Sequence, residues 1–413
     1  MVPPVGETQS FGATKTTRRG SRKTISRGVL AASLLAAATQ LAYGAAEFKL
    51  GDDASLSIGF GLRTSFTTKE DAAPNGTSWS NDFAVENARL YLNGSYGKYL
   101  KATLNTERTG GAANTGGDSV RIMDAIAQFE LNPVFNVWLG RMLPPSDRAN
   151  LDGPFYLMAW SYPGVVSNYP QLAVGRDNGA LIWGKPFDGK LVYSVGVFNG
   201  HNRAAGLSND SNKLLFAGRL AVNFWDAEPA PAYYTGSTYF GAKDILTVAL
   251  VGQHQSNGVG TAASRGDLNI WSVDALFEKK LAGGLVPTIE GAYYNYDLDG
   301  KLDCGSGEPG SPSCLGATDN VGGQVDGHAY MVSGALLFPT KVGWGQFQPF
   351  VRFQKFERDV SGTTNKATDF GVNYIIKGQN AKISAVYTRF DDSRRAPTTQ
   401  KQDQFLLGVQ LQY

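Results

Sequence analysis

The chain has 413 residues, with 38 Lys+Arg against 36 Asp+Glu, 50 Gly, 2 Cys and 3 His. Charged residues make up 18%, where a soluble domain usually carries about 25%, and Gly is well above its usual share of about 7%. The near-neutral balance excludes a nucleic-acid-binding surface, and no run of roughly 20 apolar residues offers a spanning helix. What remains is a β-rich protein, soluble or in a membrane.

The chain opens with a leader. Residues 15–27, KTTRRGSRKTISR, hold six basic residues and no acid. Val29 to Ala42 is apolar but too short and Ala-rich to span. Ala42-Tyr43-Gly44 places small residues at a cleavage site. Together these are the three parts of a secretory signal peptide, expected over 1–44. Thr17-Arg18-Arg19 resembles a twin-arginine signal, but the apolar residues that should follow it are absent, so the general secretory route is expected. The leader takes six basic residues and one acid with it. The mature chain, 45–413, is left with 32 basic and 35 acidic residues, a net of −3.

The mature chain repeats one pattern. Apolar and polar residues alternate at period 2, as in strands with one greasy face. Leu56, Ile58, Phe60 and Leu62 make the first such face, and Phe405, Leu407, Val409, Leu411 and Tyr413 the last. The segments fall at 54–66, 83–96, 98–108, 119–130, 134–142, 171–184, 189–199, 213–225, 243–256, 266–280, 284–297, 326–339, 345–357, 365–377, 380–391 and 402–413. Most exceed the five or six residues of a soluble strand and suit a strand crossing a bilayer at about 45°, which needs roughly 9–11. Short connections such as Gly97 and Asn132-Pro133 alternate with long ones such as 67–82, 143–170, 200–212 and 298–325. The connection at 226–242 is long where a short turn is due. Tyr96, Tyr99, Trp183, Phe224-Trp225, Tyr293-Tyr294, Phe338, Phe356 and Tyr413 sit at segment ends, as interfacial girdles would. The fold class predicted is all-β: a closed transmembrane antiparallel β-barrel of sixteen strands, since lipid tolerates no open sheet edge.

Several stretches carry a family likeness: ENARLYLNGSYGKYLKATLNTE (86–107), DAIAQFELNPVFNVWLGRMLPP (124–145), GKLVYSVGVFNG (189–200), STYFGAKDILTVALVGQHQ (237–255) and FGVNYIIKGQNAKISAVYTRFDD (370–392). They resemble the sixteen-stranded, phosphate-selective porin family (porin O and P type) of Gram-negative outer membranes. The resemblance covers nearly the whole mature chain, including the long turn at 226–242. It implies a homotrimer whose third long loop folds into the lumen. The strand count reaches that loop independently. The connection 143–170 carries Asp147, Arg148 and Asp152 beside Phe155, Tyr156, Trp160 and Tyr162, and so much apolar surface is costly outside a packed setting.

If the apolar parity faces lipid, Arg63, Arg89, Lys101, Arg219 and Arg352 point inward, as do Asp124, Asp274, Glu278, Glu290 and Glu107. An Arg or Lys facing lipid at the midplane would cost about 2–4 kcal/mol. Members of the resembled family line their constriction with Arg and Lys. Here the loop has one Arg, two Asp and no Lys, and the wall mixes both signs. Expected instead is a crossed field, with Arg148, Arg89, Arg63 and Arg352 facing Asp147, Asp152 and Asp124. Most single charges are expected to act as wall ion pairs.

Cys304 and Cys314 share the loop at 298–325 and are expected to pair in an exported protein. The GxGxxG-like run at 305–310 contains Pro and lacks a strand–helix context. Asp297, Asp299 and Asp303 fail the EF-hand spacing. His201, His254 and His328 are scattered without a nucleophile motif. No enzyme, metal or cofactor is expected. The expected function is passive diffusion of small hydrophilic solutes or ions, phosphate among the candidates. A structural or adhesive barrel blocked by 143–170 is the alternative. A third, weaker reading, a sheath around a periplasmic redox partner, would require a wider lumen.

Overall fold

The computed structural model describes residues 46–109, 119–166, 175–201, 203–204, 208–209, 211–261, 263–301 and 326–413. The leader at 1–44 and the Cys304–Cys314 pairing lie outside them. Sixteen antiparallel strands form the wall. They are β1 (Ala54–Lys69), β2 (Ser80–Tyr96), β3 (Leu100–Thr109), β4 (Ser119–Glu130), β5 (Asn136–Met142), β6 (Asp177–Gly184), β7 (Leu191–Phe198) and β8 (Leu215–Asn223). Then follow β9 (Ile245–Thr261), β10 (Ser264–Glu278), β11 (Val286–Asp297), β12 (Gly327–Leu337), β13 (Gly345–Arg358), β14 (Thr364–Lys377), β15 (Ala381–Asp392) and β16 (Lys401–Gln412). Each pairs with its neighbours in sequence, and β16 pairs with β1 from Gly61↔Gln412 to Lys69↔Gln404. That last pairing closes the barrel and leaves no free edge. The short segment Ala46–Lys49 pairs with Ser55–Ile58, in line with the end of β16.

Every predicted strand is present, with ends shifted by a few residues. One difference lies between β9 and β10. A long loop is expected there, but β9 passes a register shift between Gln255 and Val259 and runs on to Thr261, just before Ser264 opens β10. The extra residues of a bulge keep the hairpin paired while its twist increases.

The outward parity is apolar, as period 2 demands. On β16 the outward residues Phe405 to Tyr413 cover roughly 27 Å along the strand at about 3.4 Å per residue. Two rings of aromatics bound this band. Toward the long loops, Trp271 pairs with Tyr293 (ring centroids 5.5 Å apart), Tyr330 with Phe353 (5.9 Å) and Phe66 with Phe83 (4.9 Å). Toward the short turns, Trp225 pairs with Phe277 (5.5 Å), Phe347 with Tyr374 (5.1 Å) and Phe60 with Tyr413 (6.1 Å). Trp183, Tyr294 and Phe356 are corrections to the expected girdles. Their parity is inward, and all three are buried inside the barrel.

The inward parity is not a uniformly wet face. Ile126, Trp138, Leu181, Phe198, Leu215, Val251, Ile270 and Met331 form one apolar cluster with Leu143, Leu151 and Val166 of the long loop. The interior of the wall is therefore a core, and the loop is the body packed into it.

Candidate pore constriction

The segment 143–166 contains only one short helix, α1 (Arg148–Asp152). Buried backbone carbonyls need partners, and here the wall supplies them from side chains. Tyr233 Oη donates to Leu143 O (2.6 Å), Gln253 Nε2 to Pro145 O (2.9 Å) and Arg219 Nη1 to Ser146 O (3.2 Å). Across the lumen, Gln410 Nε2 donates to Phe155 O (2.9 Å), Lys382 Nζ to Leu157 O (2.7 Å) and Asn373 Nδ2 to Met158 O (2.8 Å). Arg63 Nη2 donates to Trp160 O, and Arg352 Nη1 to Ser161 O (2.8 Å). Tyr296 Oη donates to Val166 O (2.5 Å). Each such bond contributes about 1 kcal/mol net. The loop is held by donors from β1, β8, β9, β11 and β13 to β16, and by Tyr233 of the turn at 226–242.

Two glycines make room for it. A Cβ on Gly61 would stand 2.7 Å from the Phe155 ring, and one on Gly408 2.6 Å from the Trp160 indole. Both lie on the inward parity, so their small size is spent on the close approach of the loop. Trp160 Nε1 then donates a hydrogen bond to Glu86 (3.0 Å), and Arg63 stacks 4.1 Å above the Trp160 ring. Glu86 reaches this place because a bulge opposite Arg63 and Thr64 inserts it between Val85 and Asn87.

The near half of the loop is held by charge. Arg148 forms a bidentate pair with Glu228 (2.8 and 2.7 Å) and donates to Gly236 O (3.1 Å). Its backbone N–H donates to Asp274 (3.1 Å), which also pairs with Arg219. Asp147 accepts from Tyr294 Oη (2.8 Å), and Asp152 from Ser237 Oγ (2.5 Å). Glu228, Tyr233, Thr235, Ser237 and Tyr239 all belong to the long turn at 226–242. That turn folds into the barrel and meets the loop; Thr235 Oγ1 also donates to Arg148 O (3.0 Å). Burial pushes the Glu228 carboxyl up, but Arg148 and Tyr239 outweigh it and hold it below its usual range. Burial, then the Glu290 charge, push Asp152 well above the usual range against the opposing pull of Arg148. Burial and Glu228 push the Tyr239 phenol well up.

All but one of the residues that the sequence points inward are buried. Arg63, Arg89, Asp124, Asp147, Arg148, Asp152, Arg219 and Arg352 are buried, and only Lys101 is exposed, beside Glu130 near the short turns. Arg89 pairs with Glu107, Arg176 with Asp124 (3.1 Å) and Arg352 with Asp369 (2.7 Å). Acids and bases therefore alternate in pairs around the wall and do not segregate into opposite banks. Sequence reasoning missed Glu228, Ser237, Asn373, Lys382 and Gln410 as partners of the loop. Parity already placed the last three inward.

A closed sixteen-stranded barrel with a loop docked inside it defines a porin-type outer-membrane channel. The family described as phosphate-selective porin O and P matches residues 323–413, which span β12 to β16. Among curated proteins no sequence matches. Solved structures share the fold at low identity. An anion-selective porin from Comamonas acidovorans is 14% identical, with a TM-score of 0.55, over 87% of this chain and 100% of its own. OmpF of Salmonella typhi, solved with daunomycin, is 11% identical, with a TM-score of 0.56, over 89% and 100%. The trimer form of OmpT from Vibrio cholerae is 11% identical, with a TM-score of 0.51, over 88% and 100%.

Proposed function

We propose that this barrel is a general diffusion channel for small hydrophilic solutes, with weak ionic preference. The pairing of its interior charge carries the reading. Arg63, Arg89, Arg148, Arg176, Arg219 and Arg352 each stand beside a carboxylate, the widest of these pairs being Arg63–Glu86 at 3.9 Å. An anion-selective filter needs unspent positive charge along the path. The family's description names phosphate and the Comamonas porin is anion-selective, but here these arginines are committed to the wall and the loop. The channel assembles as a homotrimer in the outer membrane. Residues 1–44 are its export leader, and Cys304 pairs with Cys314.

Purified protein in a planar bilayer tests this by conductance and reversal potential under a salt gradient. Stepwise conductance with a small reversal potential is expected. Strong anion preference with block by inorganic phosphate would overturn the weak-selectivity reading. Absence of steps would favour the second reading, a structural barrel plugged by 143–166, which the near-complete burial of Ser146, Asp147 and Arg148 supports.

A further inference from the structure

Asp152, at the end of α1, and Glu290, on β11, are each only 4% exposed, and neither forms an ion pair among the described residues. Other acids around them do: Glu228 pairs with Arg148, Asp274 with Arg219 and Asp369 with Arg352. The two carboxyls are neighbours. After burial, the Glu290 charge is what raises Asp152 most. Arg148 acts on both of them and Arg352 on Glu290. The bonds of these guanidinium groups go elsewhere, those of Arg148 to Glu228 and Gly236 O and those of Arg352 to Asp369 and Ser161.

A carboxylate without a base can be met by hydrogen bonds instead, as Glu278 is. It accepts from Thr238 Oγ1 (2.6 Å), Thr288 Oγ1 (2.9 Å) and the backbone N–H groups of Tyr239 (3.1 Å) and Gly241 (2.8 Å). Around Asp152 and Glu290 the protons run out. Ser237 reaches both carboxyls, but its single hydroxyl proton goes to Asp152 Oδ2 (2.5 Å). Thr235 also lies beside Asp152, and its proton goes to Arg148 O (3.0 Å). Asp152 Oδ1 is left buried with no hydrogen-bond partner. Ser333, 2% exposed, stands directly opposite Glu290 across the β11–β12 pair. Oxygens with free lone pairs and two negative charges therefore converge at one buried place. Leaving such charge uncompensated is costly, and a set of carboxylate and hydroxyl oxygens suits a hard cation. Two carboxylates match a charge of two. A site this buried cannot keep the several waters that Mg²⁺ retains, which favours the larger, more adaptable Ca²⁺.

We propose that Asp152 and Glu290 together hold one divalent cation of calcium's size, with the hydroxyl oxygens of Ser237, Thr235 and Ser333 around it. The ion ties α1 of the docked loop to the wall at β11 and to the turn at 226–242, and so sets how firmly the loop is held. The full-length protein in detergent, stripped with EDTA, would be titrated with calcium chloride by calorimetry. It would also be melted with calcium, magnesium or sodium chloride at equal ionic strength. The wild type is expected to take up one Ca²⁺ per chain and to gain Tm with calcium alone. Asp152→Asn and Glu290→Gln keep the shape of the side chain and remove one buried charge. Each should melt no lower than the stripped wild type and lose both the uptake and the gain. Ser333→Ala should weaken the uptake and leave the Tm of the stripped protein unchanged. Uptake and gain that survive in both carboxamide variants would overturn the proposal, since the calcium would then sit elsewhere. So would an equal gain from magnesium or sodium. A wild type that gains Tm on acidification and not with calcium would also overturn it, the pair then being neutralised by a proton.

Discussion

Replacing Arg148 by Met asks whether the docked loop is held by charge. Arg148 is 1% exposed and gives Glu228 two bonds, at 2.8 and 2.7 Å. Its Nε stands 3.5 Å from Asp274. Asp274 keeps Arg219, but Glu228 loses its only cationic bond partner among the described residues and stays buried. Breaking a buried pair on one side costs about 3–5 kcal/mol. At about 1.4 kcal/mol per tenfold, the ratio of docked to undocked residues 143–152 should fall by roughly a hundredfold or more. The far half, held by Gln410, Lys382, Asn373, Arg63 and Arg352, should stay in place, so the effect is local loosening. Single-channel recording should show larger open-channel noise and a reversal potential shifted toward cations. Limited proteolysis should cut 143–152 faster. Adding Glu228→Gln removes the stranded charge and should return most of the loss. The reasoning is refuted if Arg148→Met matches the wild type in noise, selectivity and proteolysis, or if the double variant is no better than the single one.

Gly408→Val should cost about 1–3 kcal/mol by overpacking, because a Cβ there stands 2.6 Å from the Trp160 indole. The measured sign is a shift in tryptophan fluorescence with a change in conductance, and a silent variant would contradict the close approach. Loop docking should depend on pH in two opposed ways. Asp152 is raised, so the stability it lends is full below its ordinary range and is lost as pH rises through its folded value. Glu228 is lowered, so its contribution is full above its ordinary range and is lost as pH falls. Channel noise should therefore be least between the two, and Asp152→Asn should flatten only the alkaline side of the profile. Non-reducing peptide mapping should recover Cys304 and Cys314 in one linked fragment, and two free thiols would refute the pairing.

The strands were legible because lipid leaves the chain little choice. A spanning wall needs an apolar residue at every second position, and sequences such as Phe405 to Tyr413 state that outright. The loop was legible for a related reason, since Phe155 and Trp160 make poor surface residues. Which donors hold it was not legible, because closure joins distant parts of the chain. Gln410 lies between Lys382 and Arg63 only once β16 has met both β15 and β1. Bulges hid a second set. Glu86 reaches the lumen beside Asn87 because one extra residue breaks the parity of β2.

The charges show how composition can mislead and still be informative. Inward Arg and Asp in a channel read naturally as a field acting on solutes. In this barrel they are first the answer to a backbone problem. A loop with one short helix carries its carbonyls into a low-dielectric interior, where side-chain donors on the wall and on the turn at 226–242 meet them. Arg63, Arg219 and Arg352 do so while each keeps a carboxylate. The acids make it affordable to bury the bases, and the bases make it possible to bury the loop. Selectivity in such a channel then rests on the outline that the docked loop leaves open more than on the sum of the charges, so variants that move the loop should change conductance and ion preference together.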